Sequence, residues 1–570
     1  MPFVLIPDRK ADHMQFGDTL SGTLKDRATD KYTLTAPSGG AVSFALLHPD
    51  GVGSDGQPIG LKLLDAAGNT IAVLTARGND TLLATVPSSG EYSLQVIDSD
   101  AYVDPPRDYR IVTALAGAPH TTYDGGTNNT AATAIATPLG DPIRGRIEDG
   151  DTDYFRIQAD TGGVLTLRFA HPYGPGTGGA GIGVAVMDGN GHTVITRTLT
   201  GDAVLQTTVA HAGTYYISIA DSIHYYPNDR GLYTLTPALN HYPGIVYDGP
   251  DNNSPQTALP LDLGATAVGV LEAYDNDYFK IVASAGGRLS LNFMHPSGPG
   301  TGGDGLDVII TDGNGKQIVA KQERGSDMIT ADLANGGPYY VKVGNASYRP
   351  EAGLYKLMAG VTGNGGKTIV VPDATPFHGT GGNDVVQGST GRDTMVLHGN
   401  AAGFDINVSP AGATVRDRSG AEGTDTLFNV ERLKFDDKYV ALDVDGDAGR
   451  VFRLYQAAFD RAPDEAGLGF WINQVDHGAR LHLVAEGFVA SQEFHDRYGD
   501  HPTNAQLVTA FYQNILHRAP DQAGADYWTH ALDTGIADRP DVLVNIANSE
   551  ENIALLVGST MHGMSYVPYP

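Results

Sequence analysis

Asp151-Thr152-Asp153-Tyr154-Phe155 returns 124 residues later as Asp275-Asn276-Asp277-Tyr278-Phe279, and this repeat decides the architecture. The same offset carries His171-Pro172 and the run Gly174 to Gly179 onto His295-Pro296 and Gly298 to Gly303. Asp188-Gly189-Asn190-Gly191 returns as Asp312-Gly313-Asn314-Gly315, and Gly213-Thr214-Tyr215-Tyr216 as Gly337-Pro338-Tyr339-Tyr340. A diverged first copy lies 123 residues upstream, with Asp30-Lys31-Tyr32, His48-Pro49, a turn from Asp65 to Asn69, and Gly90-Glu91-Tyr92. The copies close on Tyr109, Tyr233 and Tyr355.

Within a copy, Gly163 to Phe169 and Tyr215 to Ile219 alternate apolar and other residues, the period of half-buried strands. Asp188-Gly189 and Asp312-Gly313 read as hairpin turns between them. Short strands punctuated by turns over about 100 residues predict an antiparallel sandwich. A chain of 570 residues is too long for one core. The expected fold is multidomain and mainly β: three tandem antiparallel β-sandwiches (1–115, 116–240 and 241–362), a short β-roll-like segment (363–446), a small C-terminal all-α domain (447–557) and a tail (558–570).

Copies two and three also share an opening phrase: Asn128-Asn129-Thr130 with Thr133-Ala134, and Asn252-Asn253-Ser254 with Thr257-Ala258. Together with Asp-x-Asp-Tyr-Phe and the late Gly-x-Tyr strand, this resembles the bacterial pre-peptidase C-terminal (PPC) domain. That family includes the collagen-binding modules of clostridial collagenases, and the resemblance spans roughly residues 15–362. Copy one lacks the Asn-Asn phrase.

Hard oxygen ligands cluster at these places. Copy two has Asp124, Asn128, Asn129, Glu148, Asp149, Asp151 and Asp153; copy three has Asp248, Asp251, Asn252, Asn253, Asp275 and Asp277. Calcium takes about six to eight oxygens, and crowded carboxylates repel one another without a cation. The same residue types are also ordinary turn formers. The resemblance implies Ca2+ at copies two and three.

Residues 379–396 divide into two nonapeptides, Gly379-Thr380-Gly381-Gly382-Asn383-Asp384-Val385-Val386-Gln387 and Gly388-Ser389-Thr390-Gly391-Arg392-Asp393-Thr394-Met395-Val396. Glycine at positions one and four, aspartate at six and an apolar residue at eight resemble the RTX (hemolysin-type) calcium β-roll repeat. Asp384 and Asp393 are then candidate ligands, although Thr380 and Ser389 stand where that repeat prefers glycine. Two nonapeptides make about one turn. Gly423 to Leu427 and Val430 to Phe435 resemble the β-segment that trails such rolls.

From Asp447 the apolar spacing becomes helical, and a second duplication appears. Tyr455-Gln456, Arg461-Ala462-Pro463-Asp464, Gly467, Trp471 and Gly478 return at a shift of 57 as Tyr512-Gln513, Arg518-Ala519-Pro520-Asp521, Gly524, Trp528 and Gly535. Each unit predicts a helix, a turn, and a second helix that carries the Trp. The segment resembles the DUF4214 family and, more weakly, helical modules that anchor surface layers to lipopolysaccharide. Arg461 and Arg518 are expected either to meet a saccharide phosphate or to bond loop carbonyls or pair with Asp464 and Asp521.

Lys and Arg number 37 against 66 Asp and Glu, a formal charge of -29. That balance excludes nucleic acid and anionic membrane surfaces as natural partners. There is no cysteine, and Met1 to Lys10 has no secretory signal pattern. No apolar run approaches about 18 residues, so the chain is expected not to span a membrane. No His-Glu-x-x-His, Gly-x-Ser-x-Gly or cysteine nucleophile is present, and no enzyme is expected. The resemblances imply a secreted, extracellular, calcium-binding protein at the surface of a Gram-negative bacterium, exported by type I secretion through an uncleaved C-terminal signal. It is expected to act as a surface-layer, adhesin or biofilm-matrix component. Its expected partners are further copies of itself in a homo-oligomer, filament or lattice, or lipopolysaccharide or another surface polysaccharide. The alternative is a binding module for collagen-like or polysaccharide substrate beside a secreted hydrolase.

Overall fold

The computed structural model describes residues 13–16, 18–25, 27–49, 57–99, 107–117, 120–146, 152–171, 181–221, 232–272, 274–297, 305–345, 353–363, 365–372, 376–520 and 522–569. The chain divides into two compact units, Met1–Asn240 and His241–Pro570.

Strand Thr152–Ala159 shows why the repeats form sandwiches. Asp153, Phe155, Ile157 and Ala159 are buried while Arg156 and Gln158 are exposed. The strand pairs antiparallel with Gly213–Asp221, setting Phe155 opposite Ile217. Copies two and three each build two five-stranded sheets in the same order, and copy one a five- and a four-stranded sheet. Phe279, Phe293, Val341 and Tyr355 lie at the centre of the third core.

Two details depart from the expected antiparallel plan. Each sheet of copy two starts with a short parallel strand: Thr122–Tyr123 along Ile143–Gly145, and Ile135–Ala136 along Thr152–Ala159. The chain crosses from one sheet to the other between them, and that crossover carries Asp124 and Asn128. Ile245–Tyr247 and Leu259–Pro260 repeat this in copy three. The hairpin turns are also wider than a two-residue Asp-Gly. Asp188 N–H donates to the His192 carbonyl, and the left-handed residue is Gly191 (φ 87°), with Gly68 and Gly315 equivalent. His48, His171 and His295 are buried at strand ends. The glycine loops at Gly174 to Gly179 and Gly298 to Gly303 lie outside the described residues.

The roll-like segment is a β-solenoid of three turns, not one. Val385–Gln387 lies parallel between Thr368–Val370 and Thr424–Phe428, and Thr394–Val396 lies parallel between Pro376–His378 and Arg432–Lys434. Only the middle turn carries the glycine-aspartate spacing. The third turn is the segment read as trailing the roll, and a hairpin of Phe404–Ser409 and Gly412–Asp417 is inserted before it. The solenoid packs on the third sandwich. Met358 joins Val385, Ala411 and Phe428 in a small core, and Asn292 Nδ2 donates to the Ala411 carbonyl at 2.9 Å.

Among the described residues eight helices follow: α1 Asp447–Phe459, α2 Glu465–Asp476, α3 Leu481–Val489, α4 Gln492–Tyr498, α5 Asn504–Ile515, α6 Gln522–Thr534, α7 Arg539–Ala547 and α8 Glu550–Thr560. Each repeat thus supplies four helices rather than two. Asp464 caps α2 by accepting the Gly467 N–H at 2.7 Å, and Ser491 and Ser549 cap α4 and α8. Trp471 and Trp528 are half-buried against the helical core.

The last residues are not a tail. Met564–Tyr566 pairs antiparallel with Tyr439–Ala441 and completes a solenoid sheet, so the helices are an insertion between two of its strands. Val567 N–H then donates to the Glu465 carbonyl at 3.0 Å, seating the chain on α2. Met564 and Tyr566 are 2% and 6% exposed. Removing residues 564–570 uncovers the strand edge and part of two cores. It is expected to cost about 4 kcal/mol or more of stability, measurable by urea unfolding.

Candidate metal centres

The crossover of copy three folds back over its Asp-x-Asp strand. Asn252 accepts the Tyr278 N–H through its backbone carbonyl at 2.9 Å, and Asp248 N–H donates to the Val268 carbonyl at 2.9 Å. These bonds bring Asp248 (4% exposed), Asn252 (2%) and Asp277 (0%) together at one end of the core. Tyr355 donates its hydroxyl to Asp277 Oδ2 at 2.7 Å. Asp277 Oδ1, Asp248 Oδ1 and both side-chain polar atoms of Asn252 have no hydrogen-bond partner among the described residues. Buried polar atoms are normally satisfied, so four orphans in one place call for an explanation.

Electrostatics agrees. Burial pushes the Asp277 carboxyl well above the usual range, and the neighbouring Asp248 and Asp275 push it further. Asp248 rises by burial and by Asp275; Asp275 rises by burial. Without a cation these acids retain protons that carboxylates normally shed. An all-oxygen set of carboxylates and an amide fits a hard divalent cation, Ca2+ above all.

Copy two repeats the arrangement. Asp124, Asn128 and Asp153 are buried at 4%, 0% and 1%, Tyr233 donates to Asp153 Oδ2 at 2.9 Å, and Asn128 Oδ1 lacks a partner among the described residues. Asp151, Glu148 and Asp149 lie outside the described residues. Asn129 and Asn253 are exposed and stand apart from the buried sets, and Asn253 Nδ2 turns back to the Pro250 carbonyl at 2.8 Å. Asp251 is exposed too.

Sequence alone marks the tyrosines only as the ends of the copies and misses the role of their hydroxyls. The missed signal is a glycine in the neighbouring strand. A Cβ on Gly145 or Gly269 would lie 2.3 or 2.4 Å from the hydroxyl of Tyr233 or Tyr355, so only glycine lets the phenol reach its aspartate. Copy one keeps Gly22, Tyr109 and Asp30, with Tyr109 donating to Asp30 at 2.8 Å.

The solenoid aspartates are differently placed. Asp384 accepts the Thr380 N–H at 2.5 Å, the Thr380 hydroxyl at 2.8 Å and the Lys367 N–H at 2.6 Å. Asp393 accepts the Ser389 N–H at 2.6 Å and its hydroxyl at 3.0 Å. Protein donors engage both oxygens of each carboxylate, the pattern of a turn-capping aspartate. Asp425 and Glu431 on the next turn accept the N–H groups of Asp384 and Asp393, and burial lifts Asp425 to about 7.

In the helical repeats, Arg461 grips Glu493 at 2.8 and 3.1 Å, and Arg518 grips Glu551 at 2.6 and 2.8 Å. Each also donates to its loop carbonyl, Ala462 or Ala519, and lies over Tyr455 or Tyr512. The carbonyl bonds follow expectation, but the carboxylate partner is the glutamate at the start of α4 or α8. Both guanidinium groups are thereby engaged within the fold.

Residues 485–556 match the family described as "Domain of unknown function (DUF4214)". The DUF4214 match therefore covers the second repeat and the end of the first. No curated protein matches the chain in sequence. Among solved structures, the chain is similar to the pre-peptidase C-terminal domain of collagenase from Bacillus anthracis, at 16% identity and TM-score 0.15, covering 18% of this chain and 93% of that one. It is similar to tandem CBM51 modules of a family 98 glycoside hydrolase from Streptococcus pneumoniae, at 9% identity and TM-score 0.14, covering 38% and 83%. It is also similar to a triple jelly roll protein of an archaeal virus turret, at 8% identity and TM-score 0.20, covering 60% and 89%.

A carboxyl group with a folded pKa raised above its unfolded value stabilises the fold below the unfolded pKa, and that stability is lost as pH rises through the folded pKa. In chelator, the His241–Pro570 unit is therefore expected to melt lower at about pH 8 than at about pH 5. Calcium should remove most of the difference. Asp277→Asn deletes a buried carboxyl that has to ionise as pH rises, so it should raise the melting temperature in chelator at about pH 8 and abolish the gain from calcium. Scanning calorimetry of both proteins under both conditions checks each sign.

Proposed function

We propose that the chain is a non-enzymatic, secreted, calcium-binding surface or matrix protein, in which Ca2+ completes the ends of sandwiches two and three. The observation that carries this is the buried Asp248, Asn252 and Asp277 set with its four unpartnered polar atoms; copy two buries the equivalent Asp124, Asn128 and Asp153. Asp275 adds a further carboxylate at the third site, and the Tyr355 hydroxyl holds Asp277 in place. Such sites favour the folded state where calcium is plentiful, as outside a cell, and penalise it where calcium is scarce. The formal charge of -29 suits a chain that meets cations on arrival. Export by a type I route rests on the RTX-like spacing of residues 379–396.

Copy two's site also touches its neighbour. Thr85 donates its hydroxyl to the Asp124 carbonyl at 2.7 Å, and Arg146 Nη1 donates to the Leu83 carbonyl at 2.6 Å. Ion binding at Asp124 would hold modules one and two at a fixed angle. Modules held rigidly and presenting the same surface at intervals favour head-to-tail contacts that build filaments or lattices.

At a free calcium concentration 100 times the dissociation constant, binding to the folded state alone adds about 2.7 kcal/mol. Light scattering and negative-stain imaging of the full chain test the assembly step. Ordered assemblies are expected with calcium and should disappear with chelator. A monomer at high protein concentration with calcium bound would retain the metal centres and refute the assembly.

A further inference from the structure

Arg453 on α1 is 4% exposed, yet no carboxylate among the described residues pairs with it. Its Nε donates to Asn548 Oδ1 at 3.1 Å and its Nη1 to the Val444 carbonyl at 2.6 Å, while Nη2 has no acceptor among the described residues. A buried guanidinium without a counterion is costly, so the position calls for a partner. The side chain lines a recess where the third sandwich, the solenoid hairpin and the helices α1 and α8 meet. Ile245, Val408, Leu556 and Met561 supply apolar wall. Asp445 lines the same recess and is exposed. Its charge acts on Arg453, but the two form no ion pair.

Two opposite charges that share a recess and do not touch leave room for a group carrying both signs. We propose that this recess binds a free amino acid with an apolar side chain, the α-carboxylate on Arg453 Nη2 and the α-ammonium beside Asp445. The charge-assisted bond to the guanidinium fixes the head, and the apolar wall takes the side chain. A carboxylate alone satisfies only Arg453 and an amine alone only Asp445. The site draws on elements of the sandwich, the solenoid and the helices, so occupancy raises the melting temperature of the unit. The inference is independent of the calcium sites.

The test is calorimetric titration of the full chain with L-leucine, L-methionine and L-phenylalanine, alongside 4-methylpentanoate and isoamylamine. At least one amino acid is expected to saturate a single site. The two leucine analogues, each with one charge, are expected to bind about tenfold or more weakly than leucine. Asp445→Asn changes an exposed side chain and should leave folding intact. It is expected to weaken amino-acid binding about tenfold without weakening 4-methylpentanoate. Met561→Trp fills the recess and should abolish both. Absence of saturable binding by all three amino acids, equal binding by the single-charge analogues, or undiminished amino-acid affinity in Asp445→Asn would each overturn the proposal.

Discussion

A tyrosine hydroxyl donated to an aspartate, over a glycine, is the constraint on which each sandwich depends. Tyr355 to Asp277, Tyr233 to Asp153 and Tyr109 to Asp30 span 78, 80 and 79 residues of chain. The bond ties the final strand of a module to its Asp-x-Asp strand. It also fixes one carboxylate oxygen, so the other is held at the end of the core and cannot swing to solvent. A buried carboxylate is tolerated only with strong partners. Everything around it answers that demand: the crossover that lays Asn252 on Tyr278, the parallel strand that brings in Asp248, and the glycine that makes room for the ring.

Copy one shows the same problem solved without the acidic partners. Where copies two and three have Phe155 and Phe279, copy one has Tyr32, whose hydroxyl meets that of Tyr109 at 2.5 Å. A second hydroxyl thus extends the chain of hydrogen bonds at the position where the other modules crowd carboxylates. Asp30 is only half-buried, which lowers the cost of its charge. The internal comparison separates two roles. The Tyr–Asp–Gly set is structural and common to all three modules, while the Asp and Asn of the crossover are an addition to copies two and three.

The repeats were legible because exact offsets survive in sequence, and the alternation around Phe155 and Phe279 gave the strands their faces. The DUF4214-like duplication was legible for the same reason. Other features left no such mark. The parallel strands at Thr122–Tyr123 and Ile135–Ala136 are two residues each, too short for any period. Turns one and three of the solenoid lack the glycine-aspartate spacing that marks the middle turn. The closure by Met564–Tyr566 is a long-range pairing that follows eight helices, which local pattern cannot reveal. Asn129 and Asn253 sit beside true cluster members in sequence, but one residue of chain turns a side chain from the core to water.

The solenoid and the sandwiches also invert the weight that sequence alone would give them. The nonapeptide spacing is the more specific calcium signature, yet Asp384 and Asp393 are met by N–H and hydroxyl donors on both oxygens. Thr380 and Ser389 make the difference. A glycine there leaves the carboxylate without a hydroxyl, whereas these residues supply one from within the same turn. The sandwich phrases are less specific as motifs, and there the carboxylate and amide oxygens are left over. A donor set is ready for a cation where its lone pairs are unused, and spacing reports only where the chain could place them. The unused lone pairs lie at Asp248, Asn252 and Asp277, so the proposed ion is better matched by the sandwich ends than by the two aspartates of the roll.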